Sequence, residues 1–226
     1  MRVLILAGGF GTRLGGISQG LPKPMIPIAG RPFLTHILDR LPESAHVTLC
    51  IGFRGEYIVD YFGREYNGRT IEYSTEDRPL GTGGAVLRAI KNVPDRDVCV
   101  INGDTIFDIP LSDFMHEHIK YNADVTLALK PMRKIDRYGT VSIDENKRVV
   151  CFAEKEYAEY GLVNGGIYIL NVQTLVSLKF PEVFSLETDL FEKYAQKLNM
   201  RGFSYDSLFI DIGVPDDLAI ANRILA

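Results

Sequence analysis

An apolar segment that runs directly into a glycine-rich stretch is the feature that most constrains this chain. Val3–Leu6 has the composition of a buried β-strand, and Ala7–Leu14 follows it with three glycines and an arginine, Arg13. Pro22–Met25 then places a lysine, Lys23, between two prolines. Glycines let backbone N–H groups surround phosphate oxygens, and the two cations supply charge. This segment predicts a strand that ends at a phosphate-binding loop suited to a nucleoside triphosphate.

Two other nucleotide-binding loops fit the sequence poorly. Gly9-Phe10-Gly11 begins the dinucleotide-binding fingerprint of dehydrogenases, but Leu14 stands where the third glycine belongs. The prolines within 22–27 also oppose the long helix that should follow such a fingerprint. A P-loop is excluded because no Gly-Lys-Ser or Gly-Lys-Thr triplet occurs in the chain.

Short apolar runs alternate with amphipathic stretches through the first half of the chain. The pattern predicts strands near 2–7, 45–51, 69–74 and 97–102, with helices near 32–41, 55–62 and 82–92. Such alternation predicts an α/β fold, a Rossmann-like three-layer α/β/α arrangement around a mixed, mostly parallel central sheet. After residue 122, short strands joined by turns predict a β-rich second half.

Gly103 and Asp104 directly follow the apolar run Val98–Ile101 and its terminal asparagine. Open α/β sheets bind their ligands beyond the carboxyl ends of parallel strands. We therefore expect both residues to face the same crevice as the glycine-rich loop. A turn-forming role is the alternative for Asp104.

Charge and hydropathy exclude several classes of function. The formal net charge of −4 and the pI near 5.6 provide no basic excess for a general nucleic-acid binder. No segment approaches the roughly 20 apolar residues that cross a bilayer, and the N-terminal run is too short for a signal peptide. The three cysteines, Cys50, Cys99 and Cys151, lie in apolar runs and are expected to be buried thiols in a reducing compartment. The sequence thus predicts a cytoplasmic protein without a nucleic-acid or membrane partner.

Blocks of sequence spread over nearly the whole chain resemble the sugar-1-phosphate nucleotidyltransferase family. They are Leu6–Leu14, Pro22–Met25, Gly81–Gly84, Asn102–Asp104, Glu154–Lys155, Asn164–Gly166 and Asp211–Gly213. The resemblance implies the nucleotidyltransferase fold as a single catalytic domain over 1–226. Its nucleotide-binding half would cover about 1–122 and its sugar-binding half about 123–226. The C-terminal left-handed β-helix that many relatives carry is not expected here.

The resemblance also implies the chemistry. A sugar 1-phosphate would attack the α-phosphorus of a nucleoside triphosphate directly and release pyrophosphate, so no protein nucleophile is required. Arg13, Lys23 and Asp104 would be the catalytic residues, with Arg13 on the triphosphate and Lys23 on the α-phosphate. Asp104 and Asp211 would bind Mg²⁺, the implied cofactor, which usually takes only one or two protein carboxylates. A cation would offset the cost of burying Asp211 in its apolar run, although a nearby lysine would do so too.

Residues for the two substrates follow from the same blocks and from Glu76 and Glu187. The nucleotide-binding set is Leu6, Ala7, Gly8, Gly9, Gly11, Thr12, Arg13, Lys23, Glu76, Gly81, Thr82 and Gly103. The sugar-phosphate-binding set is Glu154, Lys155, Asn164, Gly165 and Glu187. Ordinary structural roles are the alternatives: a solvated charge run at 154–156, a tight turn at 164–166, and a helix start ahead of a helix at 188–199.

Glu76 is the candidate reader of the base. Guanine presents N1–H and N2–H₂ as adjacent donors, and a carboxylate is their natural bidentate acceptor. A salt-bridged surface turn with Asp77 and Arg78 is the alternative. Gly81–Gly84 is expected to form a loop that opens a helix, with free N–H groups that meet the nucleotide.

Within the family, the short chain, the helix start at Gly81–Ala85, the acid at Glu76 and the stretch Phe184–Glu187 most resemble the guanylyltransferases that act on D-glycero-D-manno-heptose 1-phosphate. This likeness implies GTP and that heptose phosphate as substrates. Mannose-1-phosphate guanylyltransferase and an amino-sugar-1-phosphate uridylyltransferase are the nearest alternatives. A non-catalytic nucleotide-sugar-binding module is the alternative from another class, and a homodimer is a further expectation.

Overall fold

The computed structural model describes residues 1–9, 20–91, 93–153 and 156–226. Its strands are β1 (Arg2–Leu6), β2 (Pro27–Ile28), β3 (Arg31–Pro32), β4 (His46–Ile51), β5 (Glu65–Tyr66), β6 (Arg69–Thr75), β7 (Asp97–Asn102), β8 (Thr105–Phe107), β9 (Val125–Ile135), β10 (Thr140–Ile143), β11 (Val149–Ala153), β12 (Ala158–Asn171), β13 (Met200–Ser204) and β14 (Phe209–Asp211). Its α-helices are α1 (Phe33–Leu38), α2 (Gly55–Phe62), α3 (Gly81–Ile90), α4 (Leu111–Lys120), α5 (Val172–Ser177) and α6 (Pro215–Leu225). A 3₁₀ turn covers Lys23–Met25 and a π-helix covers Leu186–Glu192. No helix in these ranges is both long and apolar enough to cross a membrane.

The centre of the main sheet is parallel. β7, β1, β4 and β6 lie side by side in that order, and Ile5 of β1 is in register with Leu49 of β4 and Ile101 of β7. β12 pairs antiparallel with β7 and with β9 and β10, which extends the sheet into the second half of the chain. The mixed sheet and the α/β class predicted from the sequence are therefore confirmed.

Helices cover both faces of this sheet. Val3 and Ile5 pack on the face that carries α1, α2, α4 and α6, whereas Leu4 between them packs on the face that carries α3, α5 and the π-helix. All three side chains are fully buried. A strand whose successive residues are buried on opposite faces is typical of a central parallel strand, which explains why β1 is apolar throughout. The three-layer arrangement is thus confirmed.

β12 is the longest strand of the described chain and joins its two halves. The register of β12 against β9 shifts between Asn164 and Tyr168, so 164–166 forms an irregularity inside one strand. A Cβ at Gly165 would overlap the ring of Phe107, and Gly166 has a φ of +74°. Core packing against Phe107 therefore excludes a side chain at position 165.

Three further sequence predictions are corrected. Cys151 is exposed on β11 rather than buried, because β11 is an edge strand. The helix expected over 188–199 begins at Leu186, where the side chain of Ser185 accepts hydrogen bonds from the N–H groups of Glu187 and Thr188. Gly81–Gly84 is not a loop but forms the first turn of α3.

Candidate active site

A cavity of about 320 Å³ opens at the carboxyl ends of β1, β4 and β7. Its lining residues lie at the ends of β1, β4 and β7, in the 3₁₀ turn, in the connection between β6 and α3, and in the first turns of α3. They are Leu6, Gly8, Gly9, Lys23, Pro24, Cys50, Glu76, Pro79, Gly81, Thr82, Ala85, Asn102 and Asp104. Gly8 and Gly9, which follow β1, therefore share one crevice with Asn102 and Asp104 at the end of β7, as the strand order of an open α/β sheet predicts.

Lys23 is fixed by the short 3₁₀ turn between its neighbouring prolines. Pro24 and Met25 are buried, and the Met25 N–H donates to the carbonyl of Pro22. Lys23 Nζ then lies 2.6 Å from Asp104 Oδ2 and 3.8 Å from Asp211 Oδ1, with its side chain 13% exposed. One ammonium is thus held between two carboxylates at the edge of the cavity.

Asp104 and Asp211 reach this point from neighbouring short strands. β14 pairs antiparallel with β8, which places Asp211 opposite Thr105, and the Ile212 N–H donates to the carbonyl of Asp104. Burial and the negative charge of Asp104 raise the pKa of Asp211, whereas Lys23 and a hydrogen bond from Tyr138 oppose that rise. The aspartates are therefore close enough to repel each other, and Lys23 offsets part of that repulsion.

The two carboxylates suit Mg²⁺ by their chemistry. Both are hard oxygen donors beside one cavity, and Mg²⁺ typically uses one or two protein carboxylates together with phosphate oxygens and water. No cluster of three or more His, Cys, Asp or Glu side chains that would hold a metal occurs in the described part of the chain. A cation here would therefore need oxygens from a substrate or from water to complete its coordination.

Glu76 faces the cavity rather than a surface turn. Its Oε2 accepts a hydrogen bond from the Leu80 N–H at 3.2 Å, and burial raises its pKa. A Cβ at Gly8 would lie 2.9 Å from Glu76 Oε1 and a Cβ at Gly52 2.6 Å from it, so these two glycines make the space that Glu76 occupies. Its neighbours Asp77 and Arg78 do form surface ion pairs, with Arg88 and Glu182.

The backbone N–H groups near the cavity are less available than the sequence predicted. Gly83 and Gly84 both donate to the carbonyl of Phe184, so these amides do not meet a nucleotide. The N–H groups of Ala7 and Gly103 donate to the carbonyls of Cys50 and Leu6, and neither residue lines the cavity. Gly9, by contrast, is exposed at the cavity wall and a Cβ there would meet nothing within 4 Å.

The sugar-side candidates are divided. Glu187 accepts hydrogen bonds from Thr82 Oγ1 at 2.7 Å and Ser185 Oγ at 2.8 Å, which brings it to the Thr82 side of the cavity. Asn164 donates to the hydroxyl of the buried Tyr168, 3.0 Å away, and accepts from the Gly166 N–H. Its amide is therefore engaged within the protein. Gly11, Thr12, Arg13, Glu154 and Lys155 lie outside the described residues.

Several lining groups were missed by sequence reasoning. Pro79 and Ala85 provide apolar surface, and burial together with Glu76 raises the pKa of Cys50 to about 12, so that Cys50 lines the cavity as a neutral thiol. Asn102 Oδ1 is buried without a hydrogen-bond partner among the described residues, although Asn102 lines the cavity. Tyr138, which donates to Asp211, follows an arginine in a short connection and carried no signal that would single it out.

The chain matches the sequence model of the nucleotidyl transferase family over residues 2–226. It is a member of that family. The D-glycero-alpha-D-manno-heptose 1-phosphate guanylyltransferase of Aneurinibacillus thermoaerophilus is 44% identical over 227 residues, which cover 100% of this chain and 98% of the relative. The enzyme of the same name from Campylobacter jejuni is 44% identical over 219 residues, 96% of each chain.

A solved structure with the same fold also covers the whole chain. HddC from Yersinia pseudotuberculosis, crystallised in complex with GMP-PN, is 32% identical and superimposes with a TM-score of 0.87 over 100% of this chain and 99% of its own. The fold predicted from the sequence blocks is confirmed by this similarity. The family resemblance is confirmed by the matches over the full length of the chain.

Proposed function

We propose that this nucleotidyl transferase moves the guanylyl group of GTP to D-glycero-α-D-manno-heptose 1-phosphate and releases pyrophosphate. The observation that carries the proposal is the position of Lys23, held between two aspartates at the edge of a cavity of about 320 Å³. The choice of GTP and of the heptose is supported by two full-length relatives of that activity and by a structural neighbour crystallised with GMP-PN.

The reaction needs charge neutralisation and alignment more than a reactive side chain. Both substrates carry phosphate, so their approach is opposed by repulsion, and Lys23 offers a positive charge where the α-phosphate would lie. Asp104 keeps that ammonium in place through the 2.6 Å contact. Asp104 and Asp211 would hold Mg²⁺, which when bound neutralises phosphate charge and aligns the oxygens for in-line displacement. The phosphate monoester is the nucleophile.

Glu76 is proposed to recognise the base. One carboxylate oxygen is already oriented by the Leu80 N–H, and the other lies beside Gly8 at the cavity wall. A guanine whose N1–H and N2–H₂ edge faces this carboxylate would supply two donors, whereas uracil or thymine would supply one. Pro79 and Ala85 would pack against the ring of the base.

A substrate matrix tests the proposal. Each of the four nucleoside triphosphates is combined with D-glycero-α-D-manno-heptose 1-phosphate, mannose 1-phosphate and N-acetylglucosamine 1-phosphate in the presence of Mg²⁺, and pyrophosphate release is followed. GTP with the heptose phosphate should give the highest kcat/KM. A faster reaction with UTP and the amino sugar would contradict the guanylyl proposal. Binding without pyrophosphate release from any pair would favour a non-catalytic binding module.

Omission of the cation belongs to the same experiment. Turnover should be lost in EDTA and restored by Mg²⁺, because Asp104 and Asp211 are proposed to act on the phosphates through the metal. Four further predictions come from the sequence: Mg²⁺ dependence, the roles of the residues at 11–13 and 154–155, a cytoplasmic location and a homodimer.

A further inference from the structure

Tyr138 contacts the candidate site from the connection between β9 and β10. Its hydroxyl donates a 3.0 Å hydrogen bond to Asp211 Oδ2. Its ring packs edge-on against the ring of Phe209, with 6.3 Å between centroids and an interplanar angle of 76°. Phe209 and Asp211 are two residues apart on β14, so the tyrosine lies along the strand that supplies the aspartate.

The residue before Tyr138 fixes this connection to a second element. Arg137 Nη1 and Nη2 donate to the two carboxylate oxygens of Asp217 at 3.0 and 3.3 Å, and Asp217 lies in the first turn of α6. Such a two-point contact between guanidinium and carboxylate sets direction as well as distance. The hydroxyl of Tyr138 is therefore held by packing on β14 and by an anchor on α6.

An aspartate needs such a restraint to present one particular oxygen. Its terminal torsion is broad and roughly two-fold, so a free carboxylate exchanges its two oxygens readily. Here Oδ2 is taken by Tyr138, and Oδ1 is the oxygen that lies 3.8 Å from Lys23 Nζ. The hydrogen bond thus selects which oxygen of Asp211 faces Lys23.

We propose that Tyr138 is a positioning residue that orients Asp211 for cation binding beside Lys23. The inference rests on the proposed function, because it assigns to Asp211 a part in holding the divalent cation. Groups that hydrogen-bond to metal ligands typically change metal affinity by about 10- to 100-fold when they are removed. Tyr138 would act on the reaction only through that aspartate.

The test is Tyr138→Phe, which keeps the ring against Phe209 and removes only the hydroxyl. Tyr66→Phe is the matched control, since the Tyr66 hydroxyl donates to Asp39 at 3.1 Å and its ring packs edge-on against Phe62 at 5.3 Å. Both lose one tyrosine–aspartate hydrogen bond. The dissociation constant of Mn²⁺ is measured by the EPR signal of free Mn²⁺, alone and with a non-hydrolysable GTP analogue, alongside kcat, the KM for GTP and the Tm.

Tyr138→Phe should bind Mn²⁺ about tenfold more weakly and should lower kcat, with the KM for GTP nearly unchanged. Tyr66→Phe should match the wild type in Mn²⁺ affinity and kcat. Equal Mn²⁺ affinity of Tyr138→Phe and wild type overturns the inference, and so does a wild type that binds no Mn²⁺ in the presence of the analogue. Retained Mn²⁺ binding without turnover of any substrate pair contradicts the proposed function and leaves the test of Tyr138 intact.

Discussion

Lys23 and Glu76 both line the cavity, but among the described residues only Lys23 has a partner of opposite charge within hydrogen-bond distance. Lys23 is nearly buried but lies against Asp104, a partner 81 residues away in the chain. Glu76 is half-buried and has one backbone N–H to accept from, which does not offset its loss of water. Lys23 thus has a partner of opposite charge, whereas the Glu76 carboxylate is destabilised by burial until a ligand supplies hydrogen-bond donors.

Replacing Lys23 should affect turnover more than affinity. Lys23→Ala removes a charge that is used most strongly as the phosphates approach, so kcat should fall about 100-fold or more while the KM for GTP changes little. Steady-state kinetics with varied GTP measure both constants. Lys120→Ala, which breaks an exposed pair with Glu117, is the control and should retain wild-type kinetics. A change confined to KM would remove Lys23 from the chemical step.

Glu76→Gln should weaken the preference for GTP. The amide still accepts one hydrogen bond, but it offers an N–H₂ where guanine also donates, so at least one contact is lost. The ratio of kcat/KM for GTP over UTP measures this, and a fall of about tenfold or more corresponds to one mismatched polar contact. An unchanged ratio would mean that backbone groups read the base.

Glu76→Gln should also be more stable than wild type at neutral pH. The pKa of Glu76 is raised above its usual value by burial, so the folded state binds this proton more tightly than the unfolded state does. The free energy of unfolding of wild type therefore decreases as pH rises through the raised pKa, and a glutamine that keeps the Leu80 contact escapes this loss. The difference in Tm between Glu76→Gln and wild type, measured from pH 4.5 to 8, should increase with pH. A constant difference would contradict the assignment.

At the scale of elements, the first turn of α3 is held by the segment that precedes the π-helix. Phe184 accepts hydrogen bonds from Gly83 and Gly84 through its carbonyl, and its ring covers Gly83. Thr82 Oγ1 also accepts from the Leu186 N–H at 2.8 Å and donates to Glu187. These glycines are therefore required for close packing of two elements that come from different halves of the chain.

Gly83→Ala should destabilise the protein through this packing. The added Cβ would overlap the ring of Phe184. Phe184 is stacked on Phe180, so both rings would have to move to remove the overlap. Overpacking of this kind costs about 1–3 kcal/mol, which urea denaturation measures as a lower midpoint. Gly9→Ala, where a Cβ meets nothing within 4 Å, is the control for stability. Equal midpoints for Gly83→Ala and wild type would contradict the packing role.

The elements that could be predicted from the sequence are those whose signals are local. β1, β4 and β7 are short, apolar on both faces and bounded by turns, so their burial follows from composition alone. The exposure of Cys151 could not be predicted in this way, because an apolar run does not reveal that its strand lies at the edge of a sheet. The use of the α3 glycines for packing likewise depends on Phe184, about 100 residues further along the chain.

At the scale of the molecule, the candidate site is built by contacts between distant parts of the chain. Lys23 was predicted because its proline-flanked motif is local and specific, and Asp104 because it ends a buried strand. Tyr138 was not, since its contact with Asp211 exists only once β14 has paired with β8 and the β9–β10 connection has packed on it. Sequence patterns thus predicted most of the charged groups, whereas the hydrogen bonds that orient them required the fold.

The central claim is that the guanylyl group passes directly from GTP to the sugar phosphate, with Lys23 as a charge rather than as a nucleophile. An ammonium held 2.6 Å from Asp104 is poorly suited to attack phosphorus. The most direct test is the stereochemistry at the α-phosphorus when a single diastereomer of guanosine 5′-O-(1-thiotriphosphate) is turned over with the preferred sugar 1-phosphate. A single in-line displacement predicts a product of inverted configuration. Retention of configuration would reveal a covalent guanylyl-protein intermediate and contradict the account.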